Sequence, residues 1–164
     1  MKKKISILLM LVLTISMISG INANAATKVK YKNYTNARFN YQVKYPTKFT
    51  KKTFSDNGDG VTLTTKKKDA TCLIWGGYNI MEDTGKTLLK SIKSYSPKLS
   101  SSTSNKKTCS YKYKKGKKIV YGYRYIVNDV VLGFEITYPT SQKSYYETAI
   151  KTIRSSMLKN KKVH

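Results

Sequence analysis

From Cys109 to Tyr138 the chain alternates apolar and polar residues with a period of two, interrupted only by two short polar turns. Cys109, Tyr111 and Tyr113 share one side of a first strand, which Lys115-Gly116 turns. Ile119, Tyr121, Tyr123, Tyr125 and Val127 share a side of the second, which ends at Asn128-Asp129. Val130, Leu132, Phe134, Ile136 and Tyr138 share a side of the third, and Pro139 stops it. Successive side chains of a strand point to opposite faces, and connections this short join antiparallel neighbours. The segment therefore reads as an antiparallel meander, and the rest of the chain must supply what covers its apolar face.

Phe39, Tyr41, Val43 and Tyr45 alternate with polar residues up to Pro46, which predicts a half-buried strand. Asp56-Asn57-Gly58-Asp59-Gly60 is a dense turn signal. Val61–Thr64 and Thr71–Trp75 read as strands around a Lys66-Lys67-Lys68-Asp69 turn, with Gly76-Gly77 breaking the second. The period then changes. Leu88, Leu89, Ile92 and Tyr95 recur at helical spacing between a cap at Asp83 or Thr84 and a stop at Pro97. Lys98–Lys107 is polar and serine-rich, and is expected to be a mobile solvent loop. Tyr146, Ile150, Ile153 and Met157 form the apolar seam of a last helix. Strands, helix, strands, helix, each with one apolar side, argue an α+β domain: a mostly antiparallel sheet with helices packed on it.

Lys2, Lys3 and Lys4, an apolar run from Ile5 to Ile18, and Ala23-Asn24-Ala25 have the form of a secretory signal peptide. The apolar run is short for a bilayer span, which needs about 20 residues. The expected division is a signal at 1–25, a loose N-terminal arm at 26–37, one α+β domain at 38–158 and a basic tail at 159–164. The expected location is secreted or associated with the cell envelope, with no membrane span left after cleavage. Export permits a disulfide between Cys72 and Cys109 if they fall on neighbouring strands, while burial as free thiols is the alternative.

The segment Tyr34-x-Asn36-x-Arg38-Phe39-x-Tyr41-x-Val43-x-Tyr45-Pro46, followed by Asn57-Gly58-Asp59-Gly60, resembles exported bacterial proteins of uncharacterised function with a PsbP-like fold. Gly76, the close at Ile136-Thr137-Tyr138-Pro139, and a last helix ending in Ser155-Ser156-Met157 are similar too. The fold is shared by an extrinsic subunit of photosystem II and a Ran-binding transport factor. The resemblance implies an α/β/α sandwich and a binding or accessory role. It implies no active site and carries no functional residue onto this chain.

Chemistry is sparse. The sole histidine is the C-terminal His164, which nothing holds in place, so Ser-His-Asp and Cys-His apparatus are excluded. One histidine and two distant cysteines do not make a zinc site, and no cofactor is expected. Asp56-x-x-Asp59 has glycines where a calcium loop needs ligands. Glu82-Asp83 suits a helix N-terminus, and Glu135 is placed to pair with Arg124 across the sheet.

Charge is the remaining signal. The whole chain carries +24, with 32 basic and 8 acidic residues. Cleavage removes three lysines and no acid, leaving +21 on the mature chain. Such a surface attracts polyanions, although AT-rich codons alone also raise lysine and tyrosine together. The densest stretch is one hairpin, Lys112, Lys114, Lys115, Lys117 and Lys118, interleaved with Tyr111 and Tyr113 and facing Tyr123. Cations beside aromatic faces suit bases and anionic sugars; the same alternation also describes core tyrosines behind wet lysines. The function expected is a non-enzymatic binding or accessory module for an anionic envelope polymer, an acidic glycan or an acidic protein. The alternatives are a small extracellular hydrolase using loop carboxylates, and a structural or inhibitory protein whose basicity is compositional.

Overall fold

The computed structural model describes residues 28–164; the expected signal peptide lies outside them. Nine strands and two helices follow in chain order: β1 Tyr31–Asn36, β2 Tyr41–Pro46, β3 Phe49–Phe54, β4 Gly60–Thr65, β5 Thr71–Tyr78, α1 Gly85–Tyr95, β6 Ser101–Ser104, β7 Thr108–Lys115, β8 Lys118–Val127, β9 Val130–Pro139 and α2 Lys143–Met157. A short 3-10 turn, Thr140–Gln142, leads into α2.

β1 and β2 form a two-stranded hairpin. The other seven strands form one sheet in the order β3-β4-β5-β9-β8-β7-β6, and every pairing is antiparallel. The expected meander is its centre: Lys115 pairs Lys118 and Val127 pairs Val130 across two-residue loops. Asn128 takes a positive φ of 51° at the second of these, a conformation asparagine tolerates.

One face of the sheet meets α2 and the β1–β2 hairpin. Its core joins Val61, Leu63, Ile74, Leu132, Phe134 and Ile136 to Tyr41, Val43 and Tyr45, and to Tyr146, Ile150, Ile153 and Met157 of α2. The predicted seam of the last helix is thus buried at every position, and each large apolar side chain so buried contributes about 1.5–3 kcal/mol. The opposite face is covered only at one side. There α1 lays Leu89 and Ile92 on Cys109 and Tyr111. A capping box of Thr84 and Thr87 starts that helix. Helices on both faces make the α/β/α sandwich that the resemblance implied.

Four expectations need correction. Residues 31–36, expected in a loose arm, form β1 and pair along their length with β2. Ser101–Ser104, expected in a mobile loop, form the edge strand β6 on β7. Tyr95, counted in the helix stripe, is 71% exposed. The end of the tail is anchored: Val163 is buried and its carbonyl accepts from the Asn128 side-chain amide at 2.8 Å.

The cysteine bridge is also overturned. Cys72 sits opposite Ile136 on the face that α2 covers. Cys109 sits opposite Arg124 on the α1 face. β9 and β8 separate their strands, and both thiols are free and buried. Two side chains on opposite faces of a sheet cannot meet the geometry a disulfide demands.

Candidate functional site: a basic pole

The site is built by strand direction. Because β5 is antiparallel to β9 and β9 to β8, the β4–β5 turn and the β7–β8 turn emerge at the same end of the sheet. The register shows it: Thr71 pairs Thr137 and Lys118 pairs Pro139. The first turn carries Lys66, Lys67 and Lys68, all exposed; the second carries exposed Lys114, Lys115 and Lys117, with Lys118 half-buried. The junction of β9 and α2 closes the same end. Thr140 donates its N–H to the Lys117 carbonyl at 3.0 Å, and Gln142 donates through Nε2 to Asp69 at 2.9 Å. Lys48, at the β2–β3 turn, donates to Gln142 Oε1. Lys98 precedes Ser100, whose N–H donates to the Lys112 carbonyl at 2.8 Å. With Lys143 at the start of α2, lysines from five separate stretches of sequence therefore crowd one pole.

Few carboxylates neutralise this end, and they are already engaged. Asp69 accepts from Thr65 Oγ1 at 2.5 Å as well as from Gln142; the Thr65 bond chiefly holds its carboxyl below the usual range. Glu147 accepts from Lys112 at 3.2 Å and lies 3.9 Å from Lys143. α2 also begins here, with no acidic residue in its first turn, so the positive end of its dipole adds to the pole.

The far end differs. Asp56 and Asp59 lie in the β3–β4 turn, Asp129 in the β8–β9 turn, and Glu82 and Asp83 between β5 and α1. They mix there with Arg38, Lys86, Lys106, Lys107 and the tail lysines. Arg38 pairs with Asp59 at 2.8 Å beside a groove of about 350 Å³ whose walls include Tyr34 and Phe54.

Of the hairpin residues singled out by sequence, Lys114, Lys115, Lys117 and Lys118 stand together at the tip. Lys112 does not join them: it points to the α2 side and is held by Glu147. The aromatic contacts are corrected outright. Tyr111 is only 4% exposed and Tyr123 only 2%. They point to opposite faces, because Tyr111 pairs Gly122 and Tyr123 is the next residue of β8. Tyr123 belongs to the α2-side core, with the Arg154 guanidinium 4.7 Å from its ring. Tyr113 is half-buried and stacks on Tyr111 at 6.4 Å. What sequence missed are Lys48, Lys66–Lys68, Lys98 and Lys143 as members of one patch.

On the face that α1 leaves open, Arg124 lies 4.8 Å from the Trp75 ring and 5.7 Å from the Tyr111 ring. The expected Arg124–Glu135 pair is mediated. The Tyr111 hydroxyl donates to Glu135 at 2.5 Å and accepts from Arg124 Nη2 at 3.3 Å. Trp75 and Tyr111 lie flat over Gly133 and Gly122, where an added Cβ would stand 2.6 Å and 2.1 Å from ring atoms. Glycine is required at both, and the cluster is packing that spans four strands.

Among the described residues no group of three or more His, Cys, Asp or Glu is arranged to hold a metal, and no helix is long and apolar enough to cross a membrane.

No protein-family profile matches the chain, and no curated protein matches its sequence. Its structure is similar to the solution structure of cyanobacterial PsbP (CyanoP) from Synechocystis sp. PCC 6803, with a TM-score of 0.59. The match covers 84% of this chain and 94% of that one at 11% identity. At such identity the likeness is one of architecture, and the chain has a PsbP-like fold.

Proposed function

We propose that this chain is an exported, non-enzymatic binding module whose basic pole engages an anionic partner of the cell envelope. The observation that carries this reading is the gathering of exposed lysines from separate turns at one end of the sheet, where Asp69 is tied to Thr65 and Gln142 and, among the described residues, Glu147 pairs with Lys112 and Lys143 alone. Lysines stand at both ends; what sets the pole apart is that Asp56, Asp59, Glu82, Asp83 and Asp129 all lie at the far end, a sorting of charge that codon bias in lysine does not produce. The attraction is long-range, because an ammonium is a hydrated point charge without a fixed fork of donors. Binding therefore falls steeply between low and physiological salt, where screening shortens to about 8 Å.

The test replaces Lys114, Lys115, Lys117 and Lys118 with Ser and measures retention on the producing cell's isolated envelope. Lys117 lies in the two-residue loop, and Lys114, Lys115 and Lys118 are at the strand ends that flank it, away from the core, so the fold survives the change. The charge-matched comparison must come from the far end. Replacing Lys106, Lys107, Lys161 and Lys162 supplies it, whereas the Lys66–Lys68 turn belongs to the pole. The expected result is loss of binding for the hairpin variant alone. Equal loss from both sets would mean diffuse attraction with no site.

A further inference from the structure

From the spacing of its two lysine turns, we infer that the basic pole binds an extended phosphate-bearing polymer that bridges the β4–β5 and β7–β8 turns, rather than a compact anion. The inference rests on the proposed anionic partner and specifies its form. In the order β4-β5-β9-β8-β7 the centres of the two turns are three strand steps apart, roughly 14 Å at about 4.8 Å per step. That exceeds the screening length of about 8 Å in physiological salt. A single small anion at one turn is therefore nearly blind to the other, and only a chain of repeated charges uses both.

Lys66, Lys67, Lys114, Lys115 and Lys117 are all exposed, so the pole offers a compact anion solvated point charges at the tips of two turns. The donors are lysines throughout; Arg38, Arg124 and Arg154, whose forks pair with carboxylate and phosphate alike, are engaged elsewhere. Lysine serves phosphate as a point charge. Tyr111 is buried and Tyr113 stacks on it, half-buried, so the pole reads charge along a backbone without stacking bases on it.

The experiment compares orthophosphate, tripolyphosphate and long-chain polyphosphate by calorimetry on the mature protein, with affinities expressed per phosphate. Two variants accompany the wild type. One is Lys114→Ser/Lys115→Ser/Lys117→Ser. The other is Lys66→Ser/Lys67→Ser/Lys68→Asn, with asparagine chosen because Lys68 holds a positive φ of 56°. Joining two weak contacts on one ligand is worth on the order of 10²-fold. Long-chain polyphosphate should bind the wild type that much more tightly than tripolyphosphate, and either variant should lose the whole advantage. Equal affinity for short and long chains, or a long-chain advantage that survives loss of one turn, would overturn the bridge. Tighter binding of polyglutamate than of polyphosphate would overturn the phosphate assignment while leaving an anionic partner standing. If neither polymer binds, the proposed function itself fails.

Discussion

Single residues decide what Cys72 and Cys109 do. Each is sealed under a different helix, and burial dominates both thiols. It drives Cys72 far up, and pushes Cys109 up to about 11 against the opposing charge of Arg124. A thiol is reactive only as thiolate. A raised value means both remain protonated through neutral and mildly alkaline pH. In folded protein at pH 8, a thiol reagent should therefore label neither cysteine; in denaturant it should label both. Intact mass should not change on adding reductant. A reductant-dependent mass change in monomeric protein would contradict the placement of the two on opposite faces.

Among the elements, the β1–β2 hairpin explains why the sequence motif at 34–41 and the turn at 57–60 occur together. Asn36, only 3% exposed, donates through Nδ2 to the Tyr34 hydroxyl at 2.9 Å and the Gly58 carbonyl at 2.8 Å, and accepts the Phe39 N–H at 2.9 Å. Arg38 donates to the Asn57 carbonyl, and the Tyr41 hydroxyl donates to the Asp59 carbonyl. The motif is thus a clasp between the hairpin and the sheet. Asn36→Ala strands several buried polar groups and should cost about 2–3 kcal/mol in urea unfolding, while Thr35→Ala on the exposed side stays within about 0.5 kcal/mol. The meander and both helices were legible because their apolar periods are long and unbroken. β1 and β6 were not: YKNYTN and SSTS carry no apolar alternation, and pairing with a neighbouring strand makes them strands. The lysine turns could be read one by one, but not their gathering. That depends on β5 pairing with β9, residues 52 to 66 positions apart, for which the sequence holds no local mark.

At the scale of the whole molecule, the α2-side core buries eight tyrosines, and this sets its response to alkali. The hydroxyls of Tyr121, Tyr138 and Tyr146 are buried without a hydrogen-bond partner. Burial raises all three, taking Tyr138 from 10.0 to about 12. Below pH 10 the phenol is protonated in both states and stability is independent of this group. Between 10 and about 12 the unfolded chain releases a proton that the native state keeps, so stability falls as pH rises. Tyrosinate absorbance should accordingly appear in two steps, exposed phenols first and the buried set together with loss of the near-ultraviolet dichroism. Titration of every tyrosine around pH 10 with the fold intact would contradict this core. The unequal charge of the two ends has a mechanical outcome as well. A body whose carboxylates gather at one end carries an electric moment. Under the proposed function, the field of an anionic layer would turn it before contact and land it upright on the lysine turns, leaving the opposite tip, where Ile80 and Met81 stand 84% and 82% exposed, pointing outward into the medium.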